Sequence, residues 1–126
     1  MNNFVIIGAG AAGISAAQTI RRQNSSSQIT IVHAEPEGYY SRPGLAYFLT
    51  GEIPEKQLFP YQPAELAKER LDFLHGAVVE IEPARRTIVL AEGRRIPFDK
   101  LLIATGSCAH VPCIPGAKGD GVVKWD

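Results

Sequence analysis

The chain has 126 residues, which is the usual length of one domain and enough to bury one hydrophobic core. Hydrophobic residues make up 45% of the chain and charged residues 21%, a balance that excludes a disordered tail or a collagen-like chain. The 13 lysines and arginines balance 13 aspartates and glutamates, so the zero net charge gives no electrostatic case for a nucleic-acid partner.

Residues 4–7 form a short apolar run that leads directly into glycines. The run predicts a buried strand, because it is too short to cross a membrane and has no basic leader of the kind that precedes a secretory signal. We therefore expect a cytoplasmic protein with no membrane partner. In a reducing compartment Cys108 and Cys113 are expected to be free thiols.

A βαβ unit is predicted next. Apolar residues at helical spacing predict a helix over residues 11–22, and residues 29–32 predict a second buried strand. The succession of strand, glycine turn, helix and strand within about 30 residues is a βαβ unit, in which the two strands pair in parallel. After a loop, short helices are predicted over residues 43–50 and 63–70, each with a proline near its start.

The second half of the chain predicts a small antiparallel ribbon and one more buried strand. Residues 78–97 contain apolar runs on either side of the turn sequence Ala-Glu-Gly-Arg, which is typical of a hairpin. Residues 101–104 are continuously apolar and are expected to return to the parallel sheet. The predicted fold class is α/β, with a central parallel sheet and an antiparallel ribbon.

The glycine turn carries the strongest chemical signal. Gly8, Gly10 and Gly13 have G-x-G-x-x-G spacing between a predicted strand and a predicted helix. In a dinucleotide-binding turn the first glycine permits a tight turn, the second lets a pyrophosphate approach the backbone, and the third allows close packing of the helix on the strand. Backbone N–H groups at the helix start, around Ala11 and Ala12, are donors for phosphates. The alternative is that the small residues serve helix–strand packing alone.

Glu35 is the candidate ribose ligand. It stands 22 residues after Gly13, at the end of the second predicted strand. A carboxylate at this position accepts hydrogen bonds from both ribose hydroxyls of an adenosine. The alternative is a solvated loop acid, and the nearby Glu37 has that character.

Three separated segments together resemble the FAD-dependent pyridine nucleotide-disulfide oxidoreductase superfamily. They are the glycine turn, the run Tyr40-Ser41-Arg42-Pro43, and residues 98–107 with the sequence FDKLLIATGS. The resemblance covers residues 4–116, and the Tyr-Ser-Arg-Pro run resembles the branch of nitrite, rubredoxin and ferredoxin reductases. It implies a Rossmann-like, three-layer ββα FAD-binding fold.

The resemblance also assigns site residues. It implies that Arg42 and Pro43 lie along FAD, with the arginine contacting the cofactor, and that the backbone at Val78 meets the adenine. The resemblance also implies that the turn formed by Ala104, Thr105 and Gly106 passes close to the flavin diphosphate and ribitol. A redox cysteine of the disulfide reductases is absent, because Pro43 occupies its place before a Gly-Leu pair. Catalytic residues stay unassigned, and no metal site is expected.

The implied activity is electron transfer from NAD(P)H through FAD to a small acceptor or a redox partner protein. Because such enzymes are longer, residues 1–116 are expected to be an incomplete N-terminal part of an FAD/NAD(P)-binding domain, and residues 117–126 a linker to an NAD(P)H-binding domain. The chain alone is expected to be inactive and to associate with the remainder of the flavoprotein, with a partner subunit or with itself. The alternative is a stand-alone, non-enzymatic dinucleotide-binding module or small subunit.

Overall fold

A computed structural model describes residues 2–61 and 63–123 and shows two sheets with helices beside them. The strands are β1 (Asn3–Ile7), β2 (Gln28–His33), β3 (Asp72–His75), β4 (Val78–Glu82), β5 (Thr87–Leu90), β6 (Arg95–Pro97) and β7 (Lys100–Ile103). The helices are α1 (Ala11–Gln23), α2 (Arg42–Leu49) and α3 (Pro63–Lys68), with 3-10 turns at Glu55–Leu58 and Pro83–Arg85. Within the described residues, no helix is long and apolar enough to cross a bilayer.

A four-stranded parallel sheet in the order β3-β2-β1-β7 forms the centre of the molecule. Ile6 of β1 lies opposite Ile31 of β2 on one side and opposite Leu102 of β7 on the other. The predicted parallel pairing of residues 4–7 with residues 29–32 is therefore confirmed. β1 and β2 form the buried centre of the sheet, since Val5 and Ile6 of β1 and Ile29 and Ile31 of β2 are fully inaccessible to solvent.

The sheet separates two hydrophobic cores, because successive side chains of a strand point to opposite faces. On one face Ile6 packs with Ile14 and Ala17 of α1. On the other face Val5 packs with Ile88 and other residues of the antiparallel sheet β4-β5-β6. Helix, parallel sheet and antiparallel sheet are thus stacked as three layers, which confirms the predicted fold class.

The parallel sheet contains the three predicted strands and also a fourth, Asp72–His75, that was not predicted. Only Phe73 and Leu74 are apolar in this segment, and an aspartate and a histidine flank them. Such a short run carries little periodicity, and its strand conformation comes from hydrogen bonding to β2. The extra strand matters for function because it delivers the following residues to the end of the sheet where β1 and β2 also stop.

Element boundaries also differ from the predictions by one or two residues. The helix predicted over residues 63–70 ends at Lys68, and Arg70 adopts a left-handed φ of 53°. The helix predicted over residues 43–50 spans Arg42–Leu49, and the Ser41 hydroxyl caps it by accepting a hydrogen bond from the Gly44 N–H at 3.3 Å. Ala104 falls just outside β7, although its N–H still donates to the Ile7 carbonyl at 2.8 Å.

Acid is expected to weaken the antiparallel sheet through Glu82. Its side chain is only 16% exposed, and it accepts a hydrogen bond from Arg95 at 2.8 Å with Arg85 3.6 Å away. The hydrogen bond from Arg95 lowers the pKa of Glu82 below its ordinary value of 4.5. Because the folded-state pKa is the lower one, this contribution is present above pH 4.5 and disappears as the pH falls through the folded-state value.

The corresponding measurement is urea unfolding of the native chain and of Glu82→Gln at pH 7 and pH 3. The native chain should lose more unfolding free energy on acidification than Glu82→Gln does. Glu37→Gln, which changes an exposed loop glutamate, serves as the matched control and should behave like the native chain. Equal losses in the native chain and in Glu82→Gln would contradict the expectation.

Candidate functional site

A cleft of about 680 Å³ opens at the carboxyl-terminal ends of β1, β2 and β7. In parallel α/β sheets this is the end where ligands bind. The cleft brings together ten of the twelve predicted site residues, which are Gly8, Gly10, Ala11, Ala12, Glu35, Arg42, Val78, Ala104, Thr105 and Gly106. Four segments that are far apart in the sequence therefore line one cavity.

Gly8 and Gly13 allow the chain to pack tightly around the cleft. Gly8 has a φ of 110°, and a Cβ atom on it would collide with the backbone oxygen of Ala104. A Cβ atom on Gly13 would collide with the backbone oxygen of Gly8 and would lie 3.3 Å from Cγ2 of Ile6. Gly13 does not line the cleft. A side chain at either position would therefore disturb the fold itself.

Gly10 differs from the other two glycines because it faces open space. Its φ of −77° and ψ of −176° are accessible to any residue, and a Cβ atom there would meet only Nη1 of Arg42 within 4 Å, at 3.7 Å. The α1 N-terminus has no side-chain cap and no acidic residue in its first turn. Free N–H groups, a positive helix end and vacant space beside Gly10 fit a phosphate group.

Glu35 and Arg42 bind each other across one side of the cleft. Nη2 of Arg42 donates to both carboxylate oxygens of Glu35, at 2.6 and 2.8 Å. The guanidinium lies over the Tyr40 ring, with 5.0 Å between the guanidinium carbon and the ring centroid. The backbone carbonyl of Glu35 accepts a hydrogen bond from Nδ1 of His33 at 2.7 Å. Glu35 and Arg42, which were predicted to make separate ligand contacts, are thus joined in one ion pair.

The sequence reasoning missed several cleft residues. Gly76 and Ala77 line the cleft beside Val78, and the Gly76 N–H donates to the His33 carbonyl at 2.8 Å. They follow β3, so the unpredicted strand explains why they were overlooked. Tyr40 belongs to the Tyr-Ser-Arg-Pro run, and its stacking with Arg42 is a role that the sequence does not predict. The remaining lining residues that were not predicted are Ile7, Ala9, Val32, His33, Ala34, Gly38, Ser107 and Cys108.

Pro43, like Gly13, is a predicted site residue that lies outside the cleft lining. It is the second residue of α2. Cys108 and Cys113 are exposed, free thiols, as expected from the sequence. Across residues 2–61 and 63–123, no three side chains of the metal-binding types come together in a group that could hold a metal ion.

A second cavity, of about 670 Å³, contains none of the predicted site residues. Its walls carry aromatic side chains, and the rings of Tyr39 and Tyr61 lie 5.5 Å apart between centroids. Both tyrosines pack against the core on the α1 face of the sheet. This aromatic cavity therefore serves as a control region when the binding of a ligand to the cleft is tested.

Comparison with known proteins adds an independent finding. Residues 2–125 match the family described as pyridine nucleotide-disulphide oxidoreductase. The chain is 34% identical over 122 residues to the ferredoxin reductase component of chlorobenzene dioxygenase from Cupriavidus sp. (strain PS12), covering 96% of this chain and 30% of that protein. It is 33% identical over 122 residues to rhodocoxin reductase from Rhodococcus erythropolis, covering 95% of this chain and 29% of that protein.

The fold is also similar to that of a solved structure. The structure of a NAD-dependent persulfide reductase from A. fulgidus aligns with a TM-score of 0.84 and 33% identity, over 94% of this chain and 24% of that chain. The chain therefore spans less than a third of the length of each of these relatives. Since the family match extends over nearly the whole sequence, this chain belongs to the pyridine nucleotide-disulphide oxidoreductase family.

Proposed function

We propose that this chain is the FAD-binding portion of an NAD(P)H-dependent flavoprotein oxidoreductase. The observation that carries the proposal is the convergence of the glycine turn, the Glu35–Arg42 pair and the Thr105 turn on one cleft of about 680 Å³. Such a set of separate donor and acceptor groups suits a dinucleotide better than a small substrate, because its parts address phosphate, ribose and base separately. Membership of the oxidoreductase family supports the same conclusion.

Each part of the cleft has a proposed task toward FAD. The N–H groups at Ala11 and Ala12 hold the diphosphate over Gly10, and the Glu35 carboxylate accepts hydrogen bonds from the adenosine ribose. The backbone at Val78 lies on the adenine side, and Thr105 and Gly106 lie on the ribitol side. The chemistry supplied by a bound flavin would be acceptance of a hydride from a reduced nicotinamide and delivery of electrons to an acceptor.

The proposed electron acceptor is a small molecule or a redox partner protein. The names of the two curated relatives, a ferredoxin reductase component and rhodocoxin reductase, support a protein acceptor. The remaining proposed partners are FAD itself and the remainder of the flavoprotein or a partner subunit. We also propose a cytoplasmic location, in keeping with the free thiols of Cys108 and Cys113.

The proposed domain division places residues 1–116 in the FAD-binding part and residues 117–126 in a linker. Within the described residues, no helix or strand follows Ile103, which supports a connecting role for this end. Residues 124–126 lie outside the described residues.

Apolar surface that a partner would cover is exposed at two places. Ile103 of β7, at the sheet edge, is 59% exposed, and Leu49 of α2 is 62% exposed.

The alternative of a stand-alone dinucleotide-binding module makes a different prediction about the gene. For the oxidoreductase, the reading frame should continue past the Asp126 codon into a second glycine-rich βαβ unit that holds NAD(P)H. Sequencing the gene downstream of that codon tests this directly. A stop codon immediately after Asp126, with no separate gene for the remaining domains beside it, would contradict the oxidoreductase and favour the module.

A further inference from the structure

Two histidines lie side by side at the carboxyl-terminal ends of β2 and β3. His33 and His75 are opposite each other in the register of these parallel strands, so their side chains point to the same face of the sheet. Phe73, two residues before His75, packs in the core on the α1 face, which identifies that face as the one the histidines share. The centroids of the two imidazole rings are 5.6 Å apart.

Each imidazole of the pair uses one ring nitrogen on a backbone carbonyl. Nδ1 of His33 donates to the Glu35 carbonyl at 2.7 Å, and Nε2 of His75 donates to the Ala34 carbonyl at 3.2 Å. Since a carbonyl only accepts, each bond leaves the lone pair of a neutral imidazole on the other nitrogen. In the described part of the chain, no hydrogen bond to Nε2 of His33 or to Nδ1 of His75 is seen. Histidines that ligate metal ions are oriented by this same kind of bond.

The spacing and the exposure of the pair suit one shared metal ion. Two imidazoles that bind one ion at the usual metal–nitrogen distance of about 2.0 Å have ring centroids roughly 5–6 Å apart. The separation of 5.6 Å between His33 and His75 lies in that range. His75 is exposed and His33 is half-buried, so an ion can reach the pair from solvent.

We propose that His33 and His75 form a two-histidine site for a divalent first-row transition ion, bound through Nε2 of His33 and Nδ1 of His75. Imidazole is a preferred ligand of Cu²⁺, Ni²⁺ and Zn²⁺, whereas Mg²⁺ prefers oxygen. Two protein ligands are fewer than those of a structural zinc site, so water completes the coordination and the ion exchanges with solvent. The site departs from the expectation of no metal, because the pairing of β2 with the unpredicted strand β3 brings its two ligands together. It is independent of the proposed dinucleotide binding.

The test is a calorimetric titration of Cu²⁺ into the untagged chain. Every sample carries Cys108→Ser and Cys113→Ser, because exposed thiols bind and reduce copper. In this parent, His75→Ala should weaken Cu²⁺ binding by at least about tenfold, since one of two ligands is lost. His110→Ala removes the third histidine of the chain and is the matched control, which should bind Cu²⁺ within about twofold of the parent. Mg²⁺ should show no binding at about 1 mM.

Electron paramagnetic resonance of the bound Cu²⁺ counts its nitrogen ligands. The parent should show two imidazole nitrogens, and His33→Ala and His75→Ala should each show one. Because His75 is exposed, its replacement should leave the fold intact, which circular dichroism and thermal unfolding without metal verify. Equal Cu²⁺ affinities in the parent and in His75→Ala would overturn the proposal, and so would a single nitrogen ligand in the parent. Equal losses in His75→Ala and His110→Ala would also overturn it, because binding would then reside on separate histidines.

Discussion

Replacing Gly10 with valine is expected to weaken ADP binding by at least about 100-fold, or about 2.7 kcal/mol, without unfolding the chain. The loss follows from the open space beside Gly10, which the valine side chain would fill where a diphosphate has to approach the backbone. The fold should survive because the backbone at Gly10 is extended and its φ of −77° suits a β-branched residue. Calorimetric titration gives the affinity, and thermal unfolding verifies the fold.

The other two glycines of the turn are the matched controls. Gly8→Val and Gly13→Val should destabilise the chain strongly, because a Cβ atom at either position collides with backbone oxygen. At Gly8 the φ of 110° adds strain for any L side chain. Gly10→Ala should lie between the native chain and Gly10→Val in affinity. If Gly10→Val binds ADP as tightly as the native chain, the phosphate site has been assigned to the wrong place.

The second large effect is an expected absence of catalysis: the 126-residue chain mixed with FAD and NADH should oxidise no NADH above the rate of free FAD in buffer. Hydride transfer needs a nicotinamide held against the flavin. The sequence contains one G-x-G-x-x-G turn, and that turn is proposed to hold FAD. In relatives of this family this chain corresponds to less than a third of the length.

FAD should therefore bind little better than ADP does. In the proposed arrangement the cleft holds the adenosine and diphosphate, so the flavin ring would gain little of the apolar burial that contributes about 25 cal/mol per Å². We expect the affinities for FAD and ADP to agree within about tenfold. Size-exclusion chromatography should also show self-association, since Ile103 on the edge strand β7 and Leu49 on α2 leave apolar surface exposed.

The absorbance of NADH and of bound flavin measures both expectations in one sample. A yellow protein with one FAD per chain that oxidises NADH over many turnovers would contradict them. Such a result would mean that this chain is a complete enzyme and that the nicotinamide site has to be sought within it.

The parts of the fold that the sequence predicts are those governed by local patterns. The first two strands and the glycine turn follow from continuous apolar runs and from three glycines at fixed spacing. Gly13 illustrates why this succeeds: only a glycine permits the contact with the Gly8 carbonyl, so the packing constraint is visible in the residue type. The predicted ribbon over residues 78–97 follows in the same way from its turn.

The features that escaped prediction depend on contacts between distant segments. Asp72–His75 becomes a strand through its pairing with β2, and its own four residues do not specify that conformation. The bond between Glu35 and Arg42 joins a strand end to a helix start, and spacing alone does not reveal that these charges meet. Ten of the twelve residues predicted from the sequence therefore line the cleft, but the sequence does not reveal how they hold one another.

The central claim is that ADP-containing dinucleotides enter the cleft at the ends of β1, β2 and β7. Its most direct test is an NMR titration that follows backbone ¹H–¹⁵N signals of the native chain as ADP is added. The account predicts saturable shifts at Gly8–Gly13, Glu35, Arg42 and Gly76–Val78, with small changes elsewhere. Shifts confined to the aromatic cavity around Tyr39 and Tyr61, or no shifts at millimolar ADP, would contradict it.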